Sequence, residues 1–418
     1  MHLIDELKLR GLIFDIVNEE ELKTEMNKNP ITLYCGFDPT ADSLHIGSLL
    51  PIVTLLRFRK AGHNVIALVG GGTGLVGDPS GKKNERQMQG VRVIKDWAVE
   101  FENLFKRFFK IDNKTAFCLN NYTWLSKMNF IDVLRDYGQH FSINYMLAKE
   151  SIKSRLENGL SYLEFSYMML QSIDFLTMYQ DEKVKCNMQI GGQDQWGNIT
   201  AGLELIRRVE GSEAKAYGLT MPLIVKSDGS KFGKTETGTI WLEEEKTSAY
   251  EMYQFFINTA DNDVIKYLKY YTFLSLEKII EIEKEWSLNK HLRLAQKILA
   301  SELVSMVHGK NKLNEAIKIT EVLFEGNIKK LSVEEIKLAF KGFALYKINE
   351  GIKLLDLLKE INIASSNREA REFINNKAIS LNGEIVLDEN YLINKDITIN
   401  NIIILRRGKK IYYQVEVV

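Results

Sequence analysis

Between residues 31 and 225, short apolar runs alternate with longer amphipathic stretches. Residues 31–37 are rich in β-branched and aromatic side chains and stop at Asp38-Pro39, which predicts a strand. A helix is predicted from about Ile46 to Ala61, with Gly62 as its stop. Residues 64–69 are apolar enough for a strand covered on both faces, so strand, helix and strand read as a parallel βαβ unit. A further helix is expected over 93–110, and strands at 115–120, 185–190 and 221–226. From 243 to 325 the period becomes helical; Leu292, Ala295, Leu299, Leu303 and Val307 recur until Gly309 ends the run. Residues 326–346 read as a connector with one amphipathic helix. In 347–418, Leu354-Leu355-Asp356-Leu357-Leu358 is helical, Ser366-Asn367-Arg368-Glu369 matches a capping box, and Asn382-Gly383 marks a tight hairpin. The fold class expected is α/β: a doubly wound parallel-sheet domain (1–225), a helical domain (226–325), the connector (326–346) and a small α+β domain (347–418).

At 418 residues, 45% hydrophobic and 26% charged, the chain can bury a large core. Lys plus Arg equals Asp plus Glu at 55 each, so the formal charge of zero argues against a generic polyanion binder and against DNA, while a local basic face stays open. Cys35, Cys118 and Cys186 are scattered, and the six histidines show no paired ligand spacing. Neither a disulfide framework nor a structural metal site is expected. The start, Met1-His2-Leu3-Ile4-Asp5-Glu6, lacks a basic and then apolar leader, and no apolar run approaches 18 residues. A reduced, cytoplasmic setting without a membrane partner is the expectation.

Five segments carry candidate chemistry, and each alone has a plainer reading. Gly72-Thr73-Gly74-Leu75-Val76-Gly77 fits a dinucleotide fingerprint, but Asp78-Pro79-Ser80-Gly81 breaks the helix such a motif must open. A loop beside the sheet's carboxyl edge is the better reading, and Asp78 stays a candidate there. In Asp38-Pro39-Thr40-Ala41-Asp42-Ser43-Leu44-His45-Ile46-Gly47-Ser48, a strand end meets a helix N-terminus, which offers N–H groups to phosphate. Thr40 and His45 can donate to phosphate oxygens, and Gly47 lets an adenine lie against backbone; an ordinary capped helix is the alternative. Lys231-Phe232-Gly233-Lys234-Thr235 can close two cations on a phosphate chain, or be a solvated turn. Gly191-Gly192-Gln193-Asp194-Gln195 suits ribose hydroxyls or a polar substrate, or is a capped turn. Tyr167, Gln171 and Asp174 share one face of a helix among Met168, Met169, Leu170 and Ile173, so they form a buried site or a solvent stripe.

Taken jointly and in this order, the segments resemble a bacterial-type tyrosyl-tRNA synthetase, a class I aminoacyl-tRNA synthetase. His45-Ile46-Gly47-Ser48 is similar to the first signature of that class, and Lys231 to Thr235 to its second. The resemblance implies a Rossmann-like catalytic domain and an S4-type RNA-binding domain at 347–418. It implies that Tyr34 and Asp174 bind the tyrosine hydroxyl, that Asp78, Tyr167 and Gln171 hold its ammonium group, and that Gln189 and Gln195 support the pocket and carboxylate. Cys35 and Asp194 would contact the ATP ribose, with Gly36, Asp38, Gly47, Ser48 and Gly192 also lining the ATP site. Thr40, His45, Lys231 and Lys234 would stabilise departing pyrophosphate, and Lys82 and Arg86 would swing in during the reaction. Ser48 departs from the histidine that usually ends the first signature. Arg368, Arg371, Arg406, Arg407, Lys409 and Lys410 are the candidate RNA contacts. A homodimer through residues 120–165 is also implied.

The residue types suit this chemistry. A substrate carboxylate attacks the α-phosphate of ATP without needing a general base, and the useful groups are cations and N–H donors around pyrophosphate. No dedicated carboxylate cage is evident, so Mg²⁺ is expected to arrive with ATP. A tryptophan-specific enzyme of the same class, an NAD-dependent oxidoreductase and a non-catalytic RNA-binding relative remain as alternatives. Tyr34 and Asp174 weigh against the first, Asp78-Pro79 against the second, and His45 with Lys234 against the third.

Overall fold

The apolar runs of the first half assemble into a six-stranded sheet in the computed structural model. The structure describes residues 1–82, 84, 88–156, 159–230, 232–235, 238–408 and 411–418, without the side chains of Ser151, Ser154, Lys234 and Thr235. The expectations for Arg86, Lys231, Lys409, Lys410 and the Lys234 side chain therefore lie outside what is described.

The strands are β1 (Asp15–Ile16), β2 (Thr32–Phe37), β3 (Asn64–Val69), β4 (Ala116–Asn120), β5 (Met188–Gly192) and β6 (Tyr217–Met221). They lie in the order β1-β6-β5-β2-β3-β4. Only β1 runs antiparallel, against β6; the other neighbours are parallel. From β2 the chain proceeds outward through β3 and β4, then returns to the other side of β2 with β5 and β6. The order therefore reverses between β2 and β5, which is where doubly wound sheets leave a crevice at the strands' carboxyl ends. Tyr34 on β2 lies in register with Gln189 on β5 at that point. β2 and β3 are almost wholly buried, as their continuous apolar sequences require.

Two local expectations are corrected. The helix predicted from Ile46 starts as a 3-10 turn, Ile46–Ser48, and becomes α-helical over Leu49–Lys60. The turn is tightened because His45 Nδ1 accepts the Gly47 N–H at 3.0 Å and the Ser48 N–H returns to the His45 carbonyl at 2.8 Å. The strand expected at 221–226 lies at Tyr217–Met221 and stops where Pro222 removes a ladder donor.

The chain divides into two compact units, Met1–Thr247 with Thr259–Leu299, and Ser248–Asn258 with Ala300–Val418. The first holds the sheet and the helices Asp261–Tyr271 and Leu276–Leu288. The second includes the helices Ala249–Ile257, Lys310–Glu325 and Val333–Ala339. Its C-terminal part is a five-stranded sheet in the order Glu384–Ile385, Ile379–Leu381, Ile402–Arg407, Ile411–Val417, Leu345–Ile348. Leu354, Leu357 and Leu358 of one helix, and Ala370 and Ile374 of another, pack with Ile379, Ile403 and Leu405 of this sheet. The hairpin falls at Asn382-Gly383, both with positive φ, as a type I′ turn demands. The capping box is only half formed: Ser366 accepts the Glu369 N–H, but the Glu369 carboxylate turns to the N–H and hydroxyl of Ser365.

Candidate active site

The two phosphate-binding candidates, almost 190 residues apart in sequence, meet at the mouth of the crevice. A backbone relay joins them. Ile240 N–H donates to the Gly233 carbonyl (3.0 Å), Ile46 N–H to the Ile240 carbonyl (2.9 Å), and Leu242 N–H to the Leu44 carbonyl (2.9 Å). Gly233 has φ +83°, and a Cβ there would overlap Ile46 Cγ2, so only glycine allows this approach. Helix Asp261–Tyr271 anchors the second segment from below. Phe232 packs on Tyr267 and stacks on Tyr271, at centroid distances of 4.9 and 5.5 Å. Asp263 accepts both the N–H and the hydroxyl of Ser227 at 3.0 Å. In the first segment, a Cβ on Gly47 would lie 2.7 Å from His45 Cε1. Gly47 is thus needed to let the His45 ring fold over the turn, a role separate from any room it leaves for a base.

Deeper in, a chain of hydrogen bonds crosses the crevice. Tyr167 donates to one oxygen of Asp38 (2.8 Å) and Thr73 to the other (2.7 Å). Asn121 Nδ2 donates to Thr73 Oγ1 (2.9 Å) and to Asp174 Oδ2 (2.8 Å), while Trp124 Nε1 donates to Asp174 Oδ1 (2.8 Å). Burial pushes the Asp174 carboxyl up to about 7, against the pull of the Asn121 and Trp124 donors. Tyr34 is buried with its ring 5.4 Å from Phe175. Burial, then the Asp174 charge, holds its hydroxyl well above the usual phenol range, so it stays a neutral donor. That hydroxyl has no partner among the described residues. A buried polar atom left open beside a carboxylate suits a ligand's hydroxyl, which can complete both.

A second group surrounds Asp78. Its carboxylate accepts the Ser80 N–H (2.9 Å) and Gln195 Nε2 (2.6 Å). Asn198 Nδ2 donates to Gln171 Oε1 and Gln195 Oε1, both at 3.1 Å. Lys82 reaches the Asp78 carbonyl at 3.3 Å, so in this structure it stays with its own loop. Burial, then the Asp78 charge, raises Asp194 to about 6. Burial, then the Asp194 charge, raises Cys35 to about 12, which leaves a neutral thiol rather than a nucleophile. Gln189 Oε1 is buried without a partner among the described residues. Thr40 and Gly36 are exposed, a Cβ on Gly192 would meet Asp194 Oδ1 at 2.7 Å, and Ser48 makes no capping bond with its side chain.

Tyr34, Cys35, Asp38, Asp78, Tyr167, Gln171, Asp174, Gln189, Asp194 and Gln195, all candidates from the sequence, are brought together along one crevice. Asn121, Trp124, Thr73 and Asn198, not among those candidates, join them there. Asn121 follows the end of β4 at the same carboxyl edge, and that position was the available signal. The site offers acceptors, amides and N–H donors, without a paired nucleophile and base among the described residues.

Known proteins agree with this reading. The family described as "tRNA synthetases class I (W and Y)" matches residues 26–325, and "Tyrosine--tRNA ligase SYY-like C-terminal domain" matches 335–415. The chain is 52% identical to tyrosine–tRNA ligase 1 of Bacillus subtilis over 99% of both chains. It belongs to the tyrosine–tRNA ligase family of class I tRNA synthetases. The tyrosine–tRNA ligase of Bacillus caldotenax is likewise 52% identical, over 99% of both chains. Among solved structures, a C-terminally truncated mitochondrial tyrosyl-tRNA synthetase of Aspergillus nidulans superposes with a TM-score of 0.69 at 31% identity, covering 77% of this chain and 94% of that one.

The basic candidates of the synthetase's second unit differ in availability. Arg368 is exposed. Arg371 is exposed and paired with Glu389 at 2.6 Å. Arg407 is half-buried, bonds the Ile363 carbonyl at 2.9 Å and lies over Phe373, so it is largely spent on the fold. Arg406 is half-buried on the same strand.

Proposed function

We propose that the protein activates L-tyrosine with ATP to tyrosyl-adenylate and pyrophosphate, then transfers tyrosine to the 3′-terminal ribose of its tRNA. The observation that carries the tyrosine assignment is the buried Tyr34 hydroxyl, without a partner among the described residues, beside Asp174. A phenol hydroxyl accepting from Tyr34 and donating to Asp174 satisfies the first and adds a donor to the second, whereas phenylalanine leaves the buried Tyr34 hydroxyl unpaired. Asp78, Tyr167 and Gln171 hold the ammonium group, Gln195 with Gln189 the carboxylate side, and Cys35 with Asp194 the ribose. The backbone from Gly36 to Ser48, Asp38 and Gly192 line the nucleotide, and Thr40, His45, Lys231 and Lys234 take the charge growing on pyrophosphate. Lys82 and Arg86 approach once ATP is bound. Mg²⁺ enters on the ATP phosphates as part of that substrate. Incubation with tyrosine and MgATP should release pyrophosphate and leave AMP bound to tyrosine; release of ADP would contradict attack at the α-phosphate.

Within the second compact unit, residues 347–418 are proposed as the RNA-binding part, and the cytoplasm is proposed as the protein's place; the helical segment 226–325 expected as one domain contributes to both compact units. Support for RNA contact is the exposed pair Arg368 and Arg371 on one helix. Arg368→Glu with Arg371→Glu should raise the tRNA KM by about tenfold and steepen nothing in the activation step. An unchanged tRNA KM would remove these arginines from the interface.

A homodimer is proposed through residues 120–165. Phe130, Ile131, Ile143 and Tyr162 are each 65% exposed, a concentration of apolar surface that a second copy would cover. Phe130→Asp with Ile131→Asp should convert a sedimenting dimer to monomer; a wild-type monomer at micromolar concentration would refute the interface.

A further inference from the structure

Asn198 stands at the third position of helix Trp196–Glu210 and is buried. Its carboxamide meets two elements that are far apart in sequence, Gln171 on helix Tyr162–Gln180 and Gln195 in the turn after β5. Four acceptors surround Nδ2, but it has two protons. The oxygens of Gln171 and Gln195, both at 3.1 Å, take them; Ser80 Oγ at 3.4 Å and Asp78 Oδ1 at 3.5 Å are longer contacts. An amide nitrogen only donates, so each facing glutamine must present its oxygen to Asn198 and aim its own nitrogen away. For Gln195 that nitrogen reaches Asp78 Oδ2 at 2.6 Å. One side chain therefore dictates which way both glutamine amides point and indirectly ties down the Asp78 carboxylate.

We propose that Asn198 is a positioning residue for the amino-acid end of the substrate: it sets the amide orientation of Gln171 and Gln195, so that the cradle around Asp78 presents acceptors to an α-ammonium group. This rests on the proposed tyrosine reading. Without the Asn198 donors, Gln171 can flip and place an NH₂ where the ammonium sits, which repels it, while Gln195, on the carboxylate side, loses the partner that fixes its amide. The hydroxyl end of the pocket, built from Tyr34, Asp174, Asn121 and Trp124, bonds through none of these atoms and is untouched.

The test compares ligands on one folded protein. Binding of tyrosine, tyramine and 3-(4-hydroxyphenyl)propionate is measured for wild type, Asn198→Leu and Asn198→Ser. Leucine is a good helix former of similar size, so Asn198→Leu keeps the helix while removing both donors and adds no charge beside Asp78. ATP affinity, measured alongside, reports that the site is still folded. Tyrosine and tyramine, which carry the ammonium, should weaken roughly 10- to 100-fold in Asn198→Leu and less in Asn198→Ser, while the propionate, which lacks it and meets only the Gln195 side, weakens several-fold less than tyramine. Equal weakening of all three ligands, or none, overturns the proposal. Failure of wild type to bind tyrosine at all would instead sink the tyrosine reading itself.

Discussion

Asp174→Asn is expected to lower kcat/KM for tyrosine activation on the order of 100-fold, because charge-assisted hydrogen bonds contribute about 1.5–3 kcal/mol each and a tenfold loss corresponds to about 1.4 kcal/mol. The carboxylate accepts from Asn121 and Trp124 at 2.8 Å each; Asn121 is buried and Trp124 half-buried. A carboxamide turns one of those contacts into a clash of donors and withdraws the acceptor a phenol needs. The wild-type pH profile supplies an independent check. Burial raises the Asp174 carboxyl to about 7, so in the free protein it is largely protonated at pH 6 and largely ionised at pH 8. A tyrosine hydroxyl that donates to the ionised form must displace the proton below pH 7. Tyrosine affinity should therefore fall as pH drops from 8 to 6 and level off above the Asp174 transition. Asp174→Asn should lose that dependence. A flat wild-type profile, or a variant that activates tyrosine normally, would contradict the assignment.

Gly233→Ala should slow adenylate formation on the order of 100-fold and leave tyrosine affinity within about twofold; a displacement near 1 Å at a reacting centre costs that much. The residue sits at φ +83°, which costs a side-chain-bearing residue about 1–2 kcal/mol. The larger consequence is steric, since the new methyl occupies the place of Ile46 Cγ2. Relief must part the two segments that the relay from Ile46 through Ile240 to Gly233 holds together. Asp174 and Tyr34 lie on other elements, so the amino acid is still held. A matched loss of tyrosine affinity would mean that the change spreads through the crevice and that the two segments are not the nucleotide side. Stopped-flow or quenched measurement of the first turnover separates the two quantities.

The elements nearest the site were legible because their signals are local. The strand ending at Asp38-Pro39, the shared helix face of Tyr167, Gln171 and Asp174, and the Asn382-Gly383 turn each follow from a period or a backbone preference, and each is in place. What escaped is the connecting layer. Asn121, Trp124 and Asn198 act through partners 27 to 53 residues away or in other elements, and no short motif encodes such a pairing. The shift of the sixth strand to Tyr217–Met221 has a similar cause, since the apolar run continues past Pro222 although the ladder cannot. The capping box at Ser366 matched in sequence, yet Ser365 competes for the same Glu369 carboxylate. Residue identity alone does not say which of two adjacent serines receives it.

The crevice at the carboxyl ends of β2 and β5 is proposed to select a phenol hydroxyl and to spend ATP on the amino acid that carries it. ATP–pyrophosphate exchange, run with tyrosine, tryptophan or phenylalanine supplied singly, tests it most directly. Exchange should be rapid with tyrosine and near background with the other two. Exchange with tryptophan or phenylalanine equal to that with tyrosine, or no exchange with tyrosine, would contradict it.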